Sequence, residues 1–150
     1  MKKLIYLFLF VSFTSFSQDY NDSGIEKVKN GDYYGAIADF TKAIEINPND
    51  AYAYFNRGSA KYDLKDYYGA IADYTKAIEI NPNYANAYYN RAIVKDDLKD
   101  YYGAIADYTK AIEINPNYAN AYYNRGLAKY DLKDYKGAIS DYTKVIGINP

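Results

Sequence analysis

The side chains that most often carry out chemistry in proteins are absent from this sequence or placed like structural residues. There is no His and no Cys, so the chain lacks the commonest general base, the usual thiol nucleophile and the best zinc ligands. Threonine recurs at one fixed spacing, which is typical of a structural position, at Thr41, Thr75, Thr109 and Thr143. We therefore predict a non-enzymatic protein with no catalytic residues and no cofactor.

Carboxylates are the remaining candidates for holding a cation. Asp96, Asp97 and Asp100 lie close together in the sequence, but they do not have the spacing of a calcium loop. A solvated helix end explains such a run more simply, and we predict no metal site. The formal net charge of −1 argues against nucleic acid as a partner.

Residues 1–17 differ in composition from the rest of the chain. A short basic start, MKK, is followed by the apolar run LIYLFLFVSFTSF, and Ser15 and Ser17 then offer a small-x-small cleavage site. This is the three-part pattern of a secretory signal peptide. A membrane anchor is the alternative, but about 13 apolar residues are fewer than the roughly 20 that span a bilayer. We expect cleavage before Gln18 and export to the periplasm or cell envelope, or secretion.

The rest of the chain repeats one unit every 34 residues. The segment DYYGAIADYTKAIEINPN occurs at 66–83 and again at 100–117, and Asn-Pro pairs recur with the same period. A period of this size is typical of repeat proteins, in which each unit stacks on its neighbours to bury a shared core. We number each unit so that the proline of the Asn-Pro pair is place 32. Together with the predicted cleavage before Gln18, this numbering gives repeats at 18–50, 51–84, 85–118 and 119–150.

Each repeat is predicted to contain two helices. In repeat two the first runs from Ala53 to about Leu64, and the second begins after Asp66, whose carboxylate can accept backbone N–H groups as an N-cap. Pro82 cannot continue a helix and so ends the second one. One apolar stripe lies along the second helix, at Ala70, Ile71, Tyr74, Ala77 and Ile78.

The charged places of the repeat have several possible roles. Asp73 and Lys76 are expected on the solvated face of the second helix. The place-11 lysines, such as Lys61, are expected to pack their stems while the ammonium group reaches water. Arginine at place 7 either faces a ligand or, as we favour, pairs with an acidic group between helices, at Arg57, Arg91 and Arg125.

Several places of the unit resemble the tetratricopeptide repeat. Place 4 is aromatic, as at Tyr54, Tyr88 and Tyr122, place 24 is aromatic in all four copies, and place 8 is small. Alanine fills place 20 at Ala36, Ala70, Ala104 and Ala138. The resemblance covers nearly all of the chain after residue 17 and implies an all-α fold, a right-handed superhelix or αα-solenoid of four two-helix repeats. It also implies a scaffold for protein–protein interaction that holds a peptide segment in its concave groove.

The differences between the copies are concentrated on one face. Repeats two and three agree at 28 of 34 places, and all six differences lie in the first helix. Four of them, at places 2, 5, 9 and 12, fall within one arc of about 80° at 100° per residue. The resemblance assigns this face to the concave surface. We predict peptide-binding residues on and beside it: Tyr52, Phe55, Asn56, Ser59, Tyr62, Asn86, Tyr89, Asn90, Ile93, Asp97, Asn120, Tyr123, Asn124, Leu127 and Tyr130.

The residue types of this face suit a protein or peptide partner rather than a small-molecule substrate. Tyrosine is rigid and amphipathic, and asparagine can pair with a peptide backbone through both donor and acceptor. The place-6 residues Asn56, Asn90 and Asn124 either do this or only satisfy local groups. Family members that bind acidic chaperone tails use a basic clamp, of which only Asn56 is matched here, so we do not expect that ligand.

The last repeat suggests an alternative function. Its second helix is expected to leave Ile139, Tyr142 and Ile146 without a following helix, because the sequence stops at Pro150. Solenoids usually end in a polar capping helix, which this repeat lacks. The chain is then either a structural subunit that self-associates by stacking through its uncapped C-terminal repeat, or a fragment of a longer repeat array.

Overall fold

The computed structural model describes the backbone of residues 2–148 and the side chains from Phe16 onward. These residues form eight helices and no strand: α1 (Lys2–Lys29), α2 (Tyr33–Ile46), α3 (Ala51–Asp63), α4 (Tyr67–Ile80), α5 (Ala85–Asp97), α6 (Tyr101–Ile114), α7 (Ala119–Asp131) and α8 (Tyr135–Ile148). The predicted all-α class with four two-helix repeats is confirmed. The chain divides into two compact units, unit 1 with α1–α4 and unit 2 with α5–α8.

The predicted signal peptide and the closing proline fall largely outside this description. Met1, the side chains up to residue 15, and Asn149-Pro150 are not part of it. Helix α1 continues without a break through the predicted cleavage site at Ser17. Among the described residues, no helix combines the length and the apolar character that a membrane crossing requires.

The second helix of every repeat begins at the predicted aspartate cap. The backbone N–H of Gly35 donates to Asp32 Oδ1 at 2.9 Å, and the equivalent bond is 3.0 Å in the other three repeats. The first helix of repeat two begins two residues earlier than predicted, at Ala51. There Asp50 caps α3 by accepting from the N–H groups of Tyr52 and Ala53, a cap that sequence periodicity alone did not indicate.

The turn between the two helices of a repeat contains a left-handed residue. In repeat two Lys65 has φ of 62°, its N–H donates to Tyr62 O, and the N–H of Asp66 donates to Lys61 O. These two bonds are those of a Schellman motif, in which glycine is the usual residue at the left-handed position. Repeat one places Gly31 there, whereas the other repeats use lysine.

Alanine and aromatic residues build the core, as the apolar stripe predicted. In unit 1 each helix packs on the next one, and in unit 2 α5–α8 do the same. Ala104 and Ala111 are fully buried and allow close helix approach, and Tyr108 fills the space between them. The glycine at place 8 lies against the aromatic residue at place 24, so that a Cβ on Gly24 would stand 2.6 Å from the Phe40 ring.

A buried ion network joins the two helices of each repeat, and the expectation that Asp73 is solvated is wrong. Asp73 is not solvated but only 4% exposed, because its carboxylate accepts from Arg57 Nε at 2.9 Å, from Arg57 Nη2 at 2.7 Å and from Lys61 Nζ at 2.7 Å. Lys76 pairs instead with Glu79. The Arg57 guanidinium also lies over the Tyr54 ring, 5.4 Å from its centre. The favoured role of arginine as an interhelical partner is confirmed, and the ammonium of Lys61 binds the same carboxylate.

Repeats three and four have the same network, and repeat one has a variant of it. Asp107 accepts from Arg91 and Lys95, and Asp141 from Arg125 and Lys129. In repeat one Ser23 stands in the place of the arginine, and Asp39 accepts from Ser23 Oγ at 2.7 Å and Lys27 Nζ at 2.6 Å. Burial alone would raise the pKa of Asp39, but these bonds outweigh it and hold the pKa below its usual value.

Candidate functional site

The predicted face of unit 2 carries its most exposed large apolar side chains on α7. Tyr123, Leu127 and Tyr130 are 50%, 39% and 55% exposed. The Tyr123 ring rests on Tyr142 at a centroid distance of 5.8 Å, and the Tyr130 ring rests edge-on against Tyr135 at 5.3 Å. Each aromatic ring is therefore supported from one side and open on the other, which is the geometry of a contact surface.

The α5 part of this face is more deeply embedded. Asn86 is exposed, whereas Asn90 and Ile93 are partly buried. The Tyr89 ring packs against Tyr118 at 4.8 Å and Tyr108 at 5.8 Å. Tyr89 is thus both a predicted binding residue and a packing residue.

A hydrogen bond links α5 to α7 on this face. Asn124 Nδ2 donates to the Tyr89 hydroxyl at 3.0 Å. Burial raises the pKa of Tyr89, and the bond from Asn124 offsets only part of that effect, so the hydroxyl stays neutral at physiological pH. The Asn124 amide therefore has a local partner, and its contact with a bound peptide stays a prediction.

Tyr118 belongs to the same face and was not predicted. Its hydroxyl donates to Asn86 Oδ1 at 3.0 Å, and burial raises its pKa to about 12, helped by the neighbouring Tyr89. Tyr84 holds the same place in repeat two. Because the two copies are identical at this place, a search for differences between repeats could not find it.

The end of the face in unit 2 is acidic. Asp97 and Asp131 are exposed, and Asp96 is partly buried. The Oδ1 atom of Asp96 is buried and has no hydrogen-bond partner among the described residues. Burial raises the pKa of Asp96, and the charges of Asp131 and Asp97 raise it further. Within the described chain no group of acidic side chains has the arrangement of a metal site.

The predicted face of unit 1 is built on α3. Tyr52 is exposed, whereas Phe55 and Tyr62 are partly buried against the rings of Tyr74 and Tyr67. These contacts make Phe55 and Tyr62 packing residues as well as candidates for ligand contact.

The polar residues of the α3 face differ in how well they are satisfied. Ser59 accepts from the Tyr74 hydroxyl at 3.1 Å and donates to Phe55 O at the same distance. The Asn56 Nδ2 atom is buried with no hydrogen-bond partner among the described residues. Asn56 therefore differs from Asn124, whose amide has a partner in the protein.

A surface pocket lies on α1, beside the predicted face of unit 1. Its volume is about 490 Å³, and its lining consists of Asp22, Ile25, Glu26, Lys29 and Asn30. Ile25 holds place 9 of repeat one, a variable place of the face. The predicted binding residues include none of these five, because the divergent first helix of repeat one hides the period there.

Several solved structures are similar to this chain. The crystal structure of MamA matches with a TM-score of 0.85 at 28% sequence identity, covering 88% of this chain and 77% of that chain. The first tetratricopeptide repeat domain of Spaghetti (RPAP3), bound to the HSP90 peptide SRMEEVD, matches with a TM-score of 0.78 at 27% identity, covering 80% and 95%. A tetratricopeptide repeat protein from Parabacteroides merdae ATCC 43184 has a TM-score of 0.83 at 23% identity, over 90% of this chain and 54% of that one.

Family models give the same result along the sequence, although no curated protein matches the chain. One tetratricopeptide repeat model matches residues 51–84 and 119–150, and a second matches 73–106. A TPR repeat model matches residues 24–65 and 97–133, more than half of the chain. With the period, the paired helices and the aromatic and alanine places described above, the chain belongs to the tetratricopeptide repeat family.

Proposed function

We propose that the protein is a non-enzymatic scaffold for protein–protein interaction, which holds a peptide segment of a partner on the first-helix faces of its repeats. One observation carries this proposal: copies that are otherwise nearly identical differ mainly on that face. Helices α4 and α6 are identical in sequence, as their packing roles require. The first helices instead change residue type at the partly buried and exposed places that line the face.

The chemistry of the face is that of a recognition surface. Tyrosine side chains have only two rotatable bonds before the hydroxyl and combine a large apolar ring with a polar group, so they bind at low entropic cost. A single well-packed aromatic anchor in an interface contributes about 1–3 kcal/mol. The similarity to a tetratricopeptide repeat domain bound to a peptide supports the same use here.

The proposal is tested by cross-linking the native protein in cell extracts, identifying the captured partner, and repeating the capture with variants. Tyr123→Ala removes an anchor and is expected to lower partner recovery at least fivefold, with helix content unchanged. The matched control is Tyr102→Ala, which removes an equally large ring that is 77% exposed but lies on a second helix, away from the face. Equal recovery by both variants would contradict the proposed binding face.

We further propose that the protein is exported, on the strength of the signal-peptide pattern in residues 1–17. Sequencing the N-terminus of the protein from fractionated cells tests this directly. Gln18 is the expected first residue, in a periplasmic, envelope or secreted fraction. Recovery of the intact N-terminus from the cytosol would rule out this localisation.

A second candidate function, self-association through α8, rests on the exposed outer face of that helix. Ile146 is 68% exposed, whereas Ile112, at the same place of α6, is 8% exposed beneath α7. Ile139 is 65% exposed beside it. The occupant we propose is a second copy of this chain, because a first helix of this same sequence already covers the equivalent face of α6.

Light scattering over a concentration series tests the self-association. Oligomers that grow with concentration are expected for the protein, and a monomer at all concentrations for Ile139→Lys combined with Ile146→Lys. A monomer in both cases would exclude stacking through α8 and would leave the peptide-binding proposal untouched.

A further inference from the structure

The open face of unit 2 combines apolar rings with negative charge. Tyr123, Leu127 and Tyr130 expose their side chains on α7, and the acidic end of α5 and α7 adjoins them. Asp131 directly follows Tyr130 at the end of α7. Burial raises the pKa of Tyr142 beneath the Tyr123 ring, and the nearby Tyr123, Asp131 and Tyr130 raise it further. The surface therefore offers an apolar platform with a carboxylate cluster at one end.

The basic side chains of α5 and α7 form ion pairs with the second helices of their repeats. The basic residues of α5 are Arg91 and Lys95, and both bind the buried Asp107 on α6 at 2.7 Å. The basic residues of α7 bind Asp141 on α8 in the same way, at 2.7 and 2.8 Å. Every arginine and lysine of the two helices thus points towards the second helices, and the helical charge left on the open face is acidic.

Exposed lysines nearby lie in the turns rather than on the helices. Lys99 and Lys133 hold the left-handed position after α5 and α7. Asp96 lies within α5, with one carboxylate oxygen buried and without a hydrogen-bond partner among the described residues. A carboxylate that is partly removed from water beside two like charges is destabilised as an anion, and a cationic group of a bound partner would relieve this.

We infer that the segment bound by unit 2 is a basic peptide, in which lysine or arginine side chains meet Asp96, Asp97 and Asp131 while apolar side chains rest on the tyrosines of α7. This inference rests on the proposed function and adds the chemistry of its partner. Opposite charges at an interface steer association and reject wrong partners, and tyrosine faces themselves attract cations. The same charges disfavour acidic peptides and nucleic acid.

Selection from a displayed library of random decapeptides, with the full chain immobilised, tests the inference and the proposed function separately. Enrichment of peptides that combine lysine or arginine with apolar residues is the expected result. Enrichment of only neutral or acidic peptides would overturn the inference and leave the scaffold function standing. Failure to enrich any peptide would overturn both.

The charges are tested on one enriched peptide, with Asp96→Asn combined with Asp131→Asn. We expect the dissociation constant to rise about 5- to 30-fold at low salt and its salt dependence to weaken, because two charge contacts are lost. The double variant should fold at least as well, since it removes a partly buried, uncompensated charge. Glu113→Gln is the control, because Glu113 is an exposed carboxylate of unit 2 that pairs with Lys110 on α6. Equal affinity of the double variant and the control would overturn the inference.

Discussion

The buried carboxylate of repeat three offers the most direct test of what stabilises each helix pair. Asp107 has a side chain only 6% exposed and accepts hydrogen bonds from Arg91 Nε at 2.8 Å, Arg91 Nη2 at 2.7 Å and Lys95 Nζ at 2.7 Å. Asp107→Asn keeps the shape of the side chain but leaves two cations facing a neutral amide. Removing one partner of a buried ion pair costs about 3–5 kcal/mol, because the remaining charge stays buried without compensation.

The lower end of that range is expected for Asp107→Asn. The Arg91 and Lys95 side chains remain 15% and 21% exposed, so water compensates part of the loss, and we predict about 3 kcal/mol. With a urea dependence of about 2 kcal/mol per molar, the unfolding midpoint should fall by about 1.5 M, measured by circular dichroism at neutral pH. The exposed pair of Lys110 and Glu113 provides the control, since Glu113→Gln should leave the midpoint unchanged.

A triple variant separates charge from packing. Arg91→Met, Lys95→Met and Asp107→Leu together remove the ion network and leave no unpaired charge, and such apolar replacements are often neutral or stabilising. We expect the triple variant to recover most of the stability lost in Asp107→Asn. A midpoint for Asp107→Asn within 0.3 M of the control, a small fraction of the shift expected from the urea dependence, would refute the reasoning, and so would a triple variant at least as unstable as the single one.

Three further predictions follow from the backbone, the core and the titration of the network. Lys99→Gly should raise the free energy of unfolding by about 1 kcal/mol, because glycine adopts the left-handed conformation without a Cβ penalty. Thermal unfolding measures this gain, and an unchanged unfolding temperature would contradict a backbone penalty at Lys99. Gly24→Ala should destabilise the protein by about 1–3 kcal/mol through overpacking. Gly58→Ala should be neutral or stabilising, because repeat three already carries Ala92 at the same place. Equal urea midpoints for the two variants would contradict this contrast. Burial would raise the pKa of Asp141, but its arginine and lysine partners hold that pKa below the usual value. The stability that the ionised Asp141 contributes is therefore present above about pH 4 and is lost as the pH falls through the depressed pKa. The difference in free energy of unfolding between the protein and Asp141→Asn should narrow from pH 7 to pH 3, and a constant difference would refute the assignment.

The sequence predicted the architecture because the period appears in every copy. Proline at place 32 and the aspartate caps mark the helix ends in four copies. One ambiguous segment therefore could not change the assignment of two helices to each repeat. The starts of the first helices were less certain, because α5 and α7 begin after Tyr84 and Tyr118, which make no side-chain cap bond. Of the starts of α3, α5 and α7, that of α3 alone has a side-chain cap, from Asp50.

The roles of individual charged residues could not be predicted with the same success. Asp73 stands three residues before Lys76, and this local spacing suggested a surface pair. Its actual partners are Arg57 and Lys61 on another helix, 16 and 12 residues away in sequence. Spacing within one helix reports neighbours on its surface, whereas the depth of a side chain depends on which helix packs over it.

The sequence predicted the proposed binding face only as a set of positions within the repeat, without the contacts between their side chains. Periodicity located the face, but it could not show that Tyr89 shares a hydrogen bond with Asn124, or that Tyr118 completes the same cluster of aromatic rings. Contacts between one repeat and the next depend on the geometry of stacking, which no single repeat encodes. The proposed binding roles of these residues stay predictions, to be tested by the captures described above.

The constant residues explain why the face is free to diverge. Arg125 binds Asp141 on α8 and, through Nη1, donates to Thr109 on α6 at 3.0 Å, so one side chain ties its helix to both flanking second helices. Residues such as Tyr123 take no part in this coupling and can change without weakening it. Tyr89 is different, because it packs in the core of the face as well as lining it. Tyr123 is half exposed and packs on Tyr142, so substitutions there should change binding more than stability, whereas substitutions at Tyr89 should change both.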